Sequence, residues 1–344
     1  MLTTPLLPTD YLDLIDPLRL GADLRGRLVR RQPETADSAT LFIRPGRAWR
    51  PHTPGQYIRI GVEINGVRHW RAYSLTSPPN TPDGLIAITV KKIPDGVVSA
   101  YLVDEVPEGT LLMLDQATGE FVQPQPLPPQ VLFITAGSGI TPVMGMLRSH
   151  QFDDVTILHS APTAADVVFG PELRALADAS RAQGARLRLI ERHTDSQGIL
   201  DLGQLDEVVP DWRERETWAC GPAAMLDAAE ETWDAAGAGQ RLHTERFRPA
   251  VTSVGEGGAV TFTRSEVVID DADGGRPLLD TGEEAGVIMP SGCRMGICFG
   301  CAAPLREGSV RDLRTGETTT AAPGDGVIIQ TCVSAPAGAC QIDL

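Results

Sequence analysis

The sequence predicts a multidomain chain in which an antiparallel β-barrel precedes an α/β domain with a parallel sheet, followed by a small α+β domain. Three observations predict it. Short apolar segments follow one another from Gly26 to about Leu114 with Pro and Gly in the gaps. After the connector QPQPLPPQ (Gln123 to Gln130), apolar strands alternate with helical stretches. Beyond HTERFRPA the composition shifts at VTSVGEGG, a candidate linker. The expected boundaries are a leader over 1–24, the barrel over 25–127, the α/β domain over 128–250 and the terminal domain over 251–344.

The barrel strands are expected in GRLVRR, ATLFIRP, GQYIRIGVEI, RHWRAYSLTS, LIAITVKKI and TLLML. In the α/β domain VLFITA, VTILHS, RLRLIE and ETWAC read as strands, with helices over ELRALADASRAQ and AAMLDAAEETWDAA. The last domain carries a candidate hairpin in AVTFTRSEVVID, a short helix near LLDTGEEAG, a cysteine-rich loop, and late strands in GVIIQTC and ACQIDL. No internal repeat is visible.

With 42% hydrophobic and 22% charged residues among 344, the chain has an ordinary globular balance. A formal charge of −15 disfavours nucleic acid or an anionic lipid surface as a direct partner. There is no apolar run of membrane length, and MLTTPLLPTDYLDLIDPLRL lacks the basic start and cleavage site of a signal peptide. A soluble, cytoplasmic, monomeric protein without membrane insertion is the expectation. Six cysteines in such a chain, four of them at ligand spacing, point to metal rather than disulfides.

Those four are Cys293, Cys298 and Cys301 in SGCRMGICFGC, an array of the form Cys-x4-Cys-x2-Cys, and Cys332 in IIQTCVSAP. This is the plant-type spacing for a [2Fe–2S] cluster, in which each iron takes two protein sulfurs. Gly292, Gly296 and Gly300 are expected to bend the loop around it. Zinc also accepts four thiolates, but its sites usually show two short Cys pairs rather than three cysteines in one loop. The histidines form no close pair, which disfavours a Rieske-type centre. Cys340 reads as a small buried residue of the last strand.

Upstream, RAYSLTS offers a guanidinium for a pyrophosphate, a ring for an isoalloxazine face and a hydroxyl for a flavin nitrogen, although alone it is a commonplace strand. GVVSAYL (Gly96 to Leu102) resembles a turn entering a helix, a place that suits a phosphate. GSGITP follows the strand VLFITA and precedes a helix, the context of a dinucleotide-binding turn as well as of an ordinary strand-to-helix turn. WACGPAAM places Cys220 at a strand end, where a buried structural cysteine is the plain alternative.

On these motifs, residues from about Gly26 to Phe247 resemble the ferredoxin–NADP reductase superfamily of flavoproteins, and those from about Ala259 to Leu344 resemble a plant-type ferredoxin, which implies a β-grasp fold. The whole is similar to single-chain reductases that feed bacterial oxygenases. CRMGICFGC and DYLDLIDPL resemble the actinobacterial reductases serving acyl-CoA desaturases and alkane hydroxylases. The resemblance implies that Arg71 contacts the FAD phosphates, that Tyr73 packs on the isoalloxazine, and that Ser74 lies near flavin N5. Gly96 and Ser99 match the second phosphate turn, while Gly137, Gly139 and Pro142 match the nicotinamide-domain turn. Cys220, Gly221 and Pro222 match the CGP motif beside the nicotinamide, with Ser74 and Cys220 as the catalytic pair. Glu245 and Phe247 match the segment that approaches the flavin. Thr194 and Asp195 stand where relatives show Thr-Arg, which leans toward NADH at the ribose.

The implied function is electron transfer from NAD(P)H through FAD to the [2Fe–2S] cluster and on to a terminal oxygenase, a membrane di-iron acyl desaturase or alkane hydroxylase. Alternatives are the reductase of a soluble aromatic-ring or haem oxygenase system and, outside enzymes, an iron–sulfur sensor or zinc-binding module. A terminal oxygenase would need iron ligands of its own, and the sequence shows none.

Overall fold

The computed structural model describes residues 8–94, 96–182, 186–247, 253–292, 294–296 and 299–344. By packing, the chain divides into two compact units, the second made of Phe247–Leu344 together with the short stretch His69–Arg71. The first holds the parallel sheet and the barrel apart from that stretch of the strand Val67–Ser74.

A short helix, α1 (Pro8–Ile15), precedes the barrel strands β1 (Arg25–Thr35), β2 (Ser38–Pro45), β3 (Tyr57–Ile64), β4 (Val67–Ser74), β5 (Ile86–Lys91) and β6 (Leu111–Leu114). Their order is β4-β3-β6-β1-β2-β5. Leu75, just past β4, pairs with Ile88 of β5, so the two ends of the sheet meet. Alternating inward residues fill the interior, with Leu28, Leu41, Ile43, Ile58, Ile60 and Ile88 fully buried. Between β5 and β6 lie α2 (Val97–Ala100) and a wider helical turn over Tyr101–Glu105.

The second sheet is parallel throughout: β7 (Gln130–Ala136), β8 (Asp154–Ala161), β9 (Arg186–His193), β10 (Glu216–Cys220) and β11 (Leu242–Glu245), ordered β11-β10-β7-β8-β9. Val131 to Ile134 form one buried run, as a strand covered on both faces requires. The connecting helices are α3 (Ile140–Ser149), α4 (Gly170–Ala182), α5 (Thr194–Gln197), α6 (Leu205–Val208) and α7 (Ala223–Ala235). Leu226, Ala229 and Trp233 of α7 pack with Leu132, Ile134 and Leu158 of the sheet. The chain runs outward in both directions from β7, so the carboxyl ends of β7 and β10 flank the crevice where open α/β sheets bind ligands.

The second unit is a mixed sheet, β12 (Gly258–Phe262), β13 (Val267–Ala272), β14 (Ala302–Asp312), β15 (Thr318–Ala321), β16 (Val327–Gln330) and β17 (Ser334–Ile342). Its order is β13-β12-β17-β14-β15, and β16 pairs with β14. Helix α8 (Leu278–Glu284) buries Leu278 and Leu279 in a core with Phe262, Leu305 and Ile342. A parallel β12–β17 pair flanked by antiparallel neighbours β13 and β14, with one helix packed in the core, is the expected β-grasp arrangement. Cys340 is 3% exposed in β17, and burial pushes its thiol up to about 12.

Candidate functional site

At the carboxyl edge of the parallel sheet, the turn after β7 carries Gly137 and Gly139 directly before α3. A Cβ on Gly139 would lie 2.0 Å from the Cys220 carbonyl oxygen, so only glycine lets this turn meet the end of β10. Gly137 has φ +55°, and nothing lies within 4 Å of where its side chain would be, which leaves the turn open toward a ligand. Pro142 sits in the first turn of α3, where its missing N–H costs no helix bond. Gly221 lies against Ala136, and Pro222 caps α7.

Strand register brings together residues that lie far apart in the sequence. Glu245 pairs with Cys220, Cys220 with Thr135, Thr135 with His159, and His159 with Glu191, so one row crosses all five strands on the same face. Cys220 is completely buried, and that burial, reinforced by Glu245, holds its thiol well above the ordinary range. Cys220 is therefore a neutral, non-nucleophilic neighbour at physiological pH. Burial likewise raises Glu245 to about 8, and its Oε2 is enclosed without a hydrogen-bond partner among the described residues. His159 is fully buried, its Nδ1 lies 2.8 Å from Thr135 Oγ1, and desolvation lowers it to about 4, which keeps the ring neutral.

In the barrel, Arg71, Tyr73 and Ser74 share β4. Arg71 Nη1 donates to the Trp70 carbonyl at 2.8 Å. Tyr73 leans on the barrel core. Ser74 is 3% exposed, and its Oγ is buried with no partner among the described residues. A buried hydroxyl left unsatisfied is costly unless a ligand completes it, so this site fits a polar ring edge. Ser99 is engaged locally: its Oγ accepts from Ile93 N–H at 3.2 Å and donates to the Gly96 carbonyl at 3.1 Å. A Cβ on Gly96 would strike both Ile93 and Ser99, so the turn leaves no room for a side chain there.

Barrel and sheet are tied together just beyond Ser74. A Cβ on Gly145 of α3 would lie 2.4 Å from the Leu75 carbonyl oxygen, and Arg148 of the same helix donates to the Thr76 carbonyl. Sequence reasoning found neither contact, and it missed the row containing Thr135, His159 and Glu191. The row could be found only by aligning the strands, because each of its residues alone is unremarkable. Phe247 is half-buried at the start of the second unit.

Cys293 and Cys298 lie outside the described residues. Cys301 and Cys332 are 1% and 4% exposed, and Thr331 joins their segments by donating N–H and Oγ1 to the Cys301 carbonyl at 3.3 and 3.0 Å. Two buried thiols on segments joined by this link fit the ligands of a metal cluster. The bend expected from the loop's glycines is found at Gly296, with φ +73°, and also at Arg294 and Phe299, at +59° and +54°. Among the described residues no helix is long and apolar enough to cross a membrane.

Three family models match in series: an oxidoreductase FAD-binding domain over residues 50–122, an oxidoreductase NAD-binding domain over 133–231, and a 2Fe-2S iron-sulfur cluster binding domain over 260–337. Over the whole chain, the sequence is 51% identical to an NADPH oxidoreductase of Mycobacterium tuberculosis, covering 90% of that protein. The chain belongs to the flavin iron–sulfur oxidoreductases. It is also 32% identical to the glycine betaine monooxygenase reductase subunit of Pseudomonas aeruginosa, over 84% of this chain and 86% of that one. Among solved structures, phthalate dioxygenase reductase matches with a TM-score of 0.65 at 21% identity, covering 93% of this chain and 97% of its own. As a flavin iron–sulfur reductase the chain carries FAD, NAD(P)H and [2Fe–2S] modules in that order, which excludes the sensor and zinc-module alternatives.

Proposed function

We propose that this reductase draws electrons from NAD(P)H and passes them to a partner oxygenase, a membrane di-iron acyl desaturase or alkane hydroxylase. When bound, FAD supplies the two-electron to one-electron conversion that links a hydride donor to a one-electron cluster. The observation that carries the reading is the buried, unpartnered hydroxyl of Ser74, set two residues before the carbonyl that Arg148 of the nucleotide domain grips. One segment thus faces a flavin site and anchors the domain that would present the nicotinamide.

In this reading Ser74 hydrogen-bonds the flavin near N5, Tyr73 packs on the ring, Arg71 neutralises the pyrophosphate, and Gly96 with Ser99 shapes a second phosphate turn. Gly137, Gly139 and Pro142 form the dinucleotide turn, and Cys220, Gly221 and Pro222 form the floor under the nicotinamide. Glu245 holds a proton beside Cys220, and Phe247 completes the flavin side. Cys293, Cys298, Cys301 and Cys332 ligate the cluster. The boundaries 1–24, 25–127, 128–250 and 251–344 define these parts.

The desaturase or hydroxylase assignment rests on the likeness of the CRMGICFGC loop and the DYLDLIDPL leader to reductases of those systems. A second reading, reductase of a soluble monooxygenase, draws on the glycine betaine monooxygenase reductase subunit among the relatives. Reconstitution of the purified protein with candidate membrane desaturases, hydroxylases and soluble oxygenases separates them. Product formed with a membrane di-iron enzyme and dependent on this chain is the expected result. Turnover only with soluble oxygenases would replace the first reading by the second.

A further inference from the structure

Two arginines brace the loop that precedes Cys301. Arg294, within the loop, donates to Asp280 Oδ1 at 2.8 Å and also grips Glu283, both on α8. Arg314 approaches from the hairpin between β14 and β15. Its Nη1 donates to the Gly296 carbonyl at 2.8 Å, while its Nε and Nη2 form a two-pronged pair with Asp312 at 3.1 and 2.7 Å. Asp312 itself is fixed, because its Oδ1 also accepts from the backbone N–H groups of Arg314 and Thr315. A Cβ at Gly296 would stand 2.4 Å from Arg314 Nη1 and 2.8 Å from Val333 Cγ1, so a side chain there would displace the guanidinium.

We propose that Arg314 is a positioning residue for the iron–sulfur cluster. Of the four proposed ligands, Cys293 and Cys298 bracket Gly296 in sequence. A planar guanidinium locked by Asp312 fixes the direction of the Gly296 carbonyl. Loop N–H groups aimed at the sulfurs set both the retention and the potential of such a cluster, so a loop free to rotate at Gly296 loses iron faster and shifts in potential. Lysine at 314 keeps the charge but cannot hold Asp312 and the carbonyl in one plane.

This inference rests on the cluster reading above, and the experiment separates the two. Iron and acid-labile sulfide are counted in the purified wild type. Cluster loss to a chelator is then followed by absorbance, and the midpoint potential by EPR-monitored titration, in the wild type, Arg314→Ala, Arg314→Lys and Asp312→Asn. Two iron per chain in the wild type supports the cluster reading independently of Arg314. Expected are at least tenfold faster cluster loss and a shifted potential in Arg314→Ala, a smaller effect in the other two variants, and unchanged FAD content in all. Wild-type loss rate and potential in both Arg314→Ala and Asp312→Asn, with the cluster intact, would overturn the role of Arg314. If Arg314→Ala fails to fold, Asp312→Asn carries the decision alone, because it leaves the arginine in place and removes only its lock.

Discussion

Arg148 Nη1 donates to the Thr76 carbonyl at 2.7 Å, reaching from a helix of the nucleotide sheet to the barrel segment two residues past Ser74. The same guanidinium forms a two-pronged ion pair with Glu172 at 2.9 and 2.6 Å and lies 4.8 Å from the Phe169 ring centroid. Gly145 of the same helix approaches the preceding carbonyl, that of Leu75. The Arg148 contact ties the segment just past β4 to helix α3 of the parallel sheet.

Replacing Arg148 by Met removes hydrogen bonds to charged and carbonyl groups and leaves Glu172 unpaired. The expected cost is about 1.5–3 kcal/mol, measured by urea unfolding of the holoprotein. Hydride transfer in stopped flow should slow while FAD stays bound, because misplacement of the two rings penalises a reaction that depends on near contact. An unchanged transfer rate would confine Arg148 to stability.

Glu245 titrates in an informative direction. Burial raises its folded-state value from 4.5 to about 8, so its contribution to stability is fully present below the unfolded value and is lost as pH rises through about 8. Across that window the expected slope is at most about 1.4 kcal/mol per pH unit. Glu245→Gln, which stays neutral, should flatten the fall in stability between pH 5 and 9 on the order of that amount. It should also remove any loss of NAD(P)H-driven flavin reduction near pH 8. Parallel pH profiles for variant and wild type would refute the assignment.

Asp195 is the second residue of α5, directly after the carboxyl end of β9. Nearby cations are turned elsewhere: Arg192 donates to the carbonyls of Gly198 and Ile199 at 3.0 and 3.5 Å, and His193 Nε2 lies 3.2 Å from Glu191. The expected outcome is a kcat/KM for NADH equal to or above that for NADPH, with Asp195→Arg shifting the ratio toward NADPH. A strong NADPH preference in the wild type, in keeping with the name of the Mycobacterium tuberculosis relative, would reverse this expectation.

Residues 251–344 carry thirteen acidic and six basic side chains, a net of −7 out of −15. Not all of that charge is available, because Glu283 is held by Arg294 and Glu284 by Arg276. Asp270 and Asp271 of β13 are exposed and have no ion pair among the described residues. Stopped-flow electron transfer to the acceptor should therefore slow as salt rises and the Debye length falls from about 10 Å at 0.1 M to about 3 Å at 1 M. Asp270→Asn with Asp271→Asn should weaken that salt dependence. A rate constant flat across the salt series rules out electrostatic docking.

The six barrel strands, the first four strands of the parallel sheet and the cysteine spacing were legible because each is written in local pattern: alternation, an apolar run or fixed ligand separation. Strand β11 was not, since four residues carry too little periodicity and its place is decided by pairing Cys220 with Glu245. Strand β14 was hidden by Pro304, Arg306, Glu307 and Gly308, which argue locally against a strand. It forms because it is paired along both edges, with β17 on one side and β15 and β16 on the other. The leader's helix α1 was likewise unsignalled. The residues proposed for the flavin stand together as a motif in the sequence, whereas Gly145, Arg148 and Arg314 acquire their meaning only from backbone carbonyls distant in sequence.

The central claim is that one chain conducts electrons from NAD(P)H through FAD to a cluster held by Cys293, Cys298, Cys301 and Cys332. It is tested most directly by anaerobic titration with NAD(P)H, read by absorbance and EPR, in the wild type, Cys298→Ser and Cys340→Ser. The account predicts flavin bleaching in all three proteins and the reduced-cluster EPR signal in the wild type and Cys340→Ser but not in Cys298→Ser. A wild-type flavin that bleaches without any cluster signal, or a Cys340→Ser protein that loses its iron while Cys298→Ser keeps it, would contradict the account.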